Sequence, residues 1–192
     1  MDPIERHGRA VAGFTVVVEC VGAGRWGRPT PCPEWDARAV VEHVIGFHEF
    51  LLLRVLGVRA HRPRHGPEAR WLATEAAIRR VLADPERLGD DAEYFDGARR
   101  SPTEVLASLA TDTLIHTWDL ARAVGAPARL DPELCELSYR ELAGSGAPGD
   151  RSDLFGPAVV VPSGADIEDR LLGLVGRDPG WRAAPGPKRA AR

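Results

Sequence analysis

Asp112 and His116 stand four residues apart in the run Asp-Thr-Leu-Ile-His-Thr-Trp-Asp-Leu-Ala-Arg, residues 112–122. On a helix, residues at that spacing lie one above the other on the same face, so the carboxylate and the imidazole point at one spot. Two ligands from a single helix are what a metal site built between helices needs. A third comes from His43, in Val40-Val-Glu-His-Val-Ile-Gly-Phe47. Two histidines and one carboxylate, with coordination positions left open, make up the donor set of catalytic zinc and non-haem iron centres. The same residues admit a plainer reading, in which both histidines are satisfied at a core edge and Asp112 is a solvated helix acid. His48, five residues after His43, does not share its face and is the alternative ligand.

The elements that must carry these residues are legible as amphipathic stripes. Leu106, Leu109, Thr113, Leu120 and Val124 recur at helical spacing. At about 100° per residue, His116 falls at the edge of that stripe and Asp112 a little further round. Val40, Val44, Phe47, Leu51 and Val55 form a second stripe with His43 at its edge. Asp36 is the expected N-cap of that helix, which runs to about Leu56 and stops at Gly57. The helix bearing Asp112 opens at Ser101 or Pro102 and closes before Gly125, which suits the left-handed terminal position.

Further helices are expected over Ile4–Val21, Pro67–Ala83 and Pro132–Ala143, with a short one over Ala165–Val175 closed by Gly176. Pro29, Pro31 and Pro33 hold a rigid connector, and the valines of Phe155–Pro162 favour an extended segment. Four long helices and a small carboxy-terminal part suggest a helix bundle, a fold that builds metal sites between facing helices.

Length, composition and charge exclude several classes. The chain has 192 residues, enough for one domain with a sizeable core, and its 44% hydrophobic and 28% charged content is ordinary for a globular protein. A net charge of -3 leaves no electrostatic footprint for nucleic acid. No apolar run reaches the length of a membrane span and the first residues do not read as a signal peptide, so a cytoplasmic location is expected. Cys20, Cys32 and Cys135 are odd in number and scattered, which argues against a disulfide framework. Cys32, between two prolines, is expected to pack as a small buried residue, and none of the three stands beside a recognisable acid–base group. No Gly-x-Ser-x-Gly elbow supports serine hydrolase chemistry. Lys188 is the sole lysine among many arginines, a sign of a GC-rich bacterial genome.

Three segments together carry a resemblance. They are Arg28-Pro-Thr-Pro-Cys-Pro-Glu-Trp-Asp leading to His43, His116-Thr-Trp-Asp-Leu-Ala-Arg-Ala-Val-Gly125, and Phe155-Gly-Pro-Ala-Val with the later Leu171-Leu-Gly-Leu-Val-Gly-Arg-Asp-Pro-Gly-Trp181. In this order, over nearly the whole chain, they resemble the actinobacterial metal-binding proteins of the DinB/YfiT-like superfamily. The likeness is nearest to the amino-terminal domains of mycothiol-dependent maleylpyruvate isomerases. The resemblance implies an all-α, DinB-like four-helix bundle of up-down-down-up topology over residues 1–145. A carboxy-terminal extension over 146–181 would pack on it; residues 182–192, with no large apolar side chain to anchor them in a core, read as a disordered tail.

It also implies a divalent metal held by His43, Asp112 and His116. The isomerase-type site has Glu where this chain has Asp112, and other DinB-like proteins have His, so metal identity and affinity stay open. Zinc is the first expectation, with nickel, iron and manganese as alternatives. The implied chemistry is activation of a mycothiol-type thiol for transfer or isomerisation of a small electrophile. A non-catalytic stress or regulatory metal module, or a biosynthetic tailoring enzyme, stays open on the same fold.

Trp118, Asp119 and Arg122 continue the ligand-bearing helix. Asp119 either orients His116 or a bound thiol, or pairs with Arg122; Trp118 is expected in the core. Arg59, Arg62, Arg64 and Arg70, with His61 and His65, make the loop after the second helix basic, either as solvated surface or as an attractor of anionic substrate. Small-molecule partners are expected, without nucleic acid or membrane, and a homodimer is left open.

Overall fold

A computed structural model of the chain describes residues 1–89, 91–94, 97–127, 129–144 and 155–183. The expected boundary at 145–146 and most of the expected tail lie outside the described residues. Six α-helices are present among them: α1 (Pro3–Glu19), α2 (Ala37–Phe47), α3 (Gly66–Leu82), α4 (Pro102–Val124), α5 (Pro132–Gly144) and α6 (Ile167–Leu174). The one departure from all-α is a small antiparallel pair, β1 (Ala92–Glu93) and β2 (Arg99–Arg100). No helix among the described residues is long and apolar enough to cross a membrane.

The helices start and stop where the local chemistry directs. Asp36 Oδ1 accepts the Ala39 amide at 2.8 Å and opens α2. Ser101 and Glu104 form a reciprocal capping box at the start of α4, with Pro102 in the first turn. Gly125 closes α4 at φ 66°, a conformation that costs an L side chain dearly.

Helix directions follow from side-chain pairing. Arg6, near the start of α1, donates to Thr111 Oγ1 at 2.8 Å, and Arg25, past its end, donates to the Val124 carbonyl. Helices α1 and α4 therefore run the same way. Val40 shares a buried cluster with Leu120 and Val124, whereas Leu52 and Leu53 share one with Leu106, so α2 runs against α4. Trp71 Nε1 donates to Thr15 Oγ1 at 2.9 Å, and Val81 packs near Ile4 and Leu106, so α3 is also antiparallel to α1. The result is the up-down-down-up bundle.

Two details depart from the sequence reading. Helix α2 does not continue regularly to Leu56: His48–Leu53 form a wide π-helical turn. The wider turn rotates the chain, so that Leu52 and Leu53 fill the core while Leu51 and Val55 are half-buried. Helix α4 is not buried along one stripe but nearly all round. Helices α5 and α6 cover its second face, where Leu134, Cys135, Leu171 and Leu172 pack on Ala110, Leu114, Ile115 and Trp118.

The carboxy-terminal segment returns along α4. Residues 155–162 form no regular strand, but the Val159 amide donates to Gly173 O at 2.8 Å. Gly176 has φ 77°, and a Cβ there would lie 2.7 Å from the Gly156 carbonyl. Only glycine fits that crossing, and Arg177 leaves from it toward α4.

Candidate metal centre

His43 on α2 and Asp112 and His116 on α4 each turn one ligand atom to a common point, with all three atoms within 4.8 Å of one another. His43 Nε2 lies 3.1 Å from Asp112 Oδ1, and His116 Nε2 lies 3.5 Å from the same oxygen. The two imidazoles meet edge to face, their centroids 4.7 Å apart. Antiparallel α2 and α4 bring His43 level with this turn. The other Asp112 oxygen, Oδ2, is buried without a hydrogen-bond partner. An ionised carboxylate oxygen without a partner in a protein interior is costly, and a cation at the convergence point would satisfy it.

The electrostatics favour a positive charge there. Burial acts to raise the Asp112 pKa, but the facing His116 charge and hydrogen bonds from His116 and His43 outweigh it and hold the carboxyl well below its usual range. Burial acts to lower the His116 pKa, yet Asp112 and Asp119 on either side raise it to about 9. Both ring nitrogens of His116 face carboxylate oxygens, so without a metal a proton occupies the place that a cation would take. Two imidazole nitrogens and a carboxylate are the donors that zinc and its borderline neighbours accept. The residues therefore fit a divalent metal.

Asp119 is fully buried and its Oδ2 lies 2.9 Å from His116 Nδ1. Its ionic partner is Arg177, not Arg122: Arg177 Nη2 donates to Oδ2 at 3.0 Å and Nε to Oδ1 at 3.3 Å. Arg122 instead lies over the Trp118 ring, 5.1 Å from its centroid, and lines a cleft of about 710 Å³ at the end of α4. None of the three converging residues lines that cleft. Trp118 is fully buried, in the core as expected.

Trp35, Phe47 and Arg177 were not singled out by the spacing of chemical residues. Trp35 stacks on His116 with centroids 5.6 Å apart and leans on His43 at 4.7 Å, while Phe47 packs on His43 at 4.1 Å. Glu34, at φ 66°, turns the connector just before Trp35. Trp35 and Arg177 lie within the segments that carry the family resemblance, which is where the signal for them stood. Cys32 also departs from expectation: it is half-buried, and its thiol feels Arg177, Asp119 and Asp112, although burial is the main effect and raises its pKa.

His48 does not join the cluster. Its Nδ1 donates to the Val44 carbonyl at 2.7 Å, leaving Nε2 to accept from His7 Nε2 at 2.9 Å. Burial lowers the pKa of both histidines, so this pair is neutral. In the basic loop, Arg62 pairs with Glu49; Arg70 is not part of that loop but stands in the first turns of α3 and approaches Glu42 at 3.8 Å.

The order and directions of these helices define a DinB-like helix-bundle protein. Residues 7–121 match the family described as the mycothiol maleylpyruvate isomerase N-terminal domain, and the chain belongs to that family. The uncharacterized proteins MT0763 and Rv0738 of two Mycobacterium tuberculosis strains are each 36% identical over 141 residues, covering 70% of this chain and 74% of theirs. The crystal structure of the mycothiol-dependent maleylpyruvate isomerase superposes with a TM-score of 0.55 at 15% identity, over 82% of this chain and 73% of that one. A histidine-to-alanine mutant of that enzyme superposes at 0.53 with the same identity and coverage. These structural likenesses support the fold.

Proposed function

We propose that the chain binds a divalent metal, zinc first, through His43, Asp112 and His116, and uses it to activate a mycothiol-type thiol against a small electrophile. The outcome is either net transfer of the thiol or, when the thiol leaves again, isomerisation. The observation that carries the reading is the convergence of three ligand atoms within 4.8 Å beside a buried, unpartnered carboxylate oxygen. Membership of a family described by a mycothiol maleylpyruvate isomerase supports the choice of thiol and reaction class.

When bound, the metal supplies a Lewis acid that lowers the pKa of a coordinated thiol. The chain's own residues do the rest. Trp35 packs on both histidine rings and Phe47 on that of His43, which orients the imidazoles and leaves His43 partly open to solvent. Asp112 contributes one negative charge, which leaves a divalent centre net positive toward an incoming thiolate. All three ligands come from one chain, so a homodimer is not required for the site. A cytoplasmic setting, where low-molecular-weight thiols are reduced, suits this chemistry.

The test is elemental analysis of untagged protein beside His43→Ala and His116→Ala, with folding followed by circular dichroism. We expect near-stoichiometric divalent metal in the wild type, lost in both variants while they stay helical. A wild type that carries no metal and cannot be loaded would refute the reading. One observation favours the alternative of a metal module without thiol chemistry: the 710 Å³ cleft lies beside Arg122 and not at the ligands. Consumption of a thiol and an electrophile by the loaded protein, absent in His116→Ala, decides between the two.

A further inference from the structure

Asp119 has no solvent exposure and sits at the centre of a chain of bonds that runs from the carboxy-terminal segment into the candidate centre. One of its oxygens takes the His116 Nδ1 side at 2.9 Å and an Arg177 N–H at 3.0 Å; the other takes the Arg177 Nε at 3.3 Å. Arg177 is itself fixed. It is 6% exposed, its Nη1 donates to the Val175 carbonyl at 3.1 Å, and it follows Gly176, where nothing larger than glycine fits. A planar guanidinium binding both oxygens of a carboxylate sets the plane of that carboxylate as well as its charge.

We propose that Arg177 is the positioning residue of the metal centre. It locks Asp119, and Asp119 in turn holds the Nδ1–H of His116, so that Nε2 is the nitrogen aimed at Asp112 and His43. The proposal rests on the metal-binding reading and extends it to a residue outside the ligand-bearing helices. Ligating histidines are commonly held through their second nitrogen by a carboxylate, and loss of such a partner typically weakens metal binding about 10–100-fold. Here the carboxylate is fully buried, and the guanidinium that binds both its oxygens arrives from 58 residues away.

The sign of the effect separates positioning from simple charge. A guanidinium near a cation site repels the cation, so a purely electrostatic Arg177 predicts tighter zinc binding once it is removed. Positioning predicts the opposite. Without Arg177, Asp119 keeps one imidazole partner and no second hold, and the His116 ring is free to turn away.

The experiment is zinc affinity, measured by competition with a chromophoric chelator, for wild type, Arg177→Met, Arg177→Lys and Leu172→Ala. Leu172 is buried in α6, and its bond to the Arg177 amide runs through the backbone carbonyl, which Leu172→Ala keeps, so that variant reports what mere loosening of the segment does. We expect binding about 10–100-fold weaker in Arg177→Met. Partial recovery is expected in Arg177→Lys, with near wild-type affinity in Leu172→Ala despite lower stability. Unchanged or tighter binding in a folded Arg177→Met would overturn the proposal, and so would an equal loss in Leu172→Ala. In parallel, nitrogen-15 NMR of the metal-free proteins reads the His116 Nδ1–H directly. A slowly exchanging Nδ1 proton in the wild type, lost in Arg177→Met, supports the positioning even if the wild type binds no zinc, in which case it is the metal reading that fails. Persistence of that proton in Arg177→Met overturns the proposal on its own.

Discussion

At the residue scale, the proposed metal would compete with protons for His116, and this has a measurable sign. Its pKa in the folded, metal-free protein is raised from the ordinary 6.5 to about 9, so its pairing with Asp112 and Asp119 stabilises fully below 6.5 and is lost as pH rises through 9. His7 and His48 act in the other direction: their folded pKa values are lowered by burial, so their contribution is lost as pH falls below 6.5. Metal-free protein is therefore expected to be most stable near neutral pH, with a declining alkaline limb in denaturant titrations taken at several pH values. Zinc should abolish that limb, because a coordinated His116 carries no extra proton. The converging triad was legible because Asp112 and His116 are four apart on one helix and the third ligand is a histidine at the edge of another stripe. Arg177 was not, because its relation to Asp119 is purely tertiary and no local spacing encodes it.

The helices are held by end chemistry as much as by burial, and two ends bear on the centre. Asp36→Ala removes the N-cap of α2 and is expected to cost about 1 kcal/mol, read as a lower unfolding midpoint with metal affinity nearly kept. Gly176→Ala should cost more than that, since it meets both a left-handed backbone and a 2.7 Å clash with Gly156, and it should also weaken zinc binding by displacing Arg177. A Gly176→Ala protein with wild-type metal affinity would disconnect the segment from the site. Caps, turns and helix spans were readable from Asp, Ser, Pro and Gly at the right offsets. The π-helical turn at His48–Leu53 was not, because Leu51, Leu52 and Leu53 are equally apolar and only packing against α3 and α4 decides which of them go inside. The burial of α4 on both faces was hidden likewise: the residues that cover its second side belong to α5 and α6, whose stripes do not name their partner.

At the scale of the molecule, the centre ties α2, α4 and the carboxy-terminal segment together, so ligand binding should be felt as global stability. A metal that binds only the folded state adds about 2.7 kcal/mol at one hundred times its dissociation constant. Thermal unfolding of the wild type should therefore rise by several degrees with excess zinc, and the rise should vanish in His43→Ala. The bundle order itself was implied by the resemblance, and the pairing of Arg6 with Thr111 and of Trp71 with Thr15 now accounts for it residue by residue. The distance in sequence between Asp119 and Arg177 has one more consequence. On the ribosome, α2 and α4 are made well before residue 177, so for that interval Asp119 has its histidine but not its cation. The nascent bundle can collapse around His43, Asp112 and His116, yet the carboxylate behind His116 lacks its guanidinium until α6 and the turn after it have emerged. Maturation of the proposed centre would then be timed by the synthesis of its carboxy-terminal segment, and a chain truncated before Arg177 would carry all three candidate ligands without the means to hold them in order.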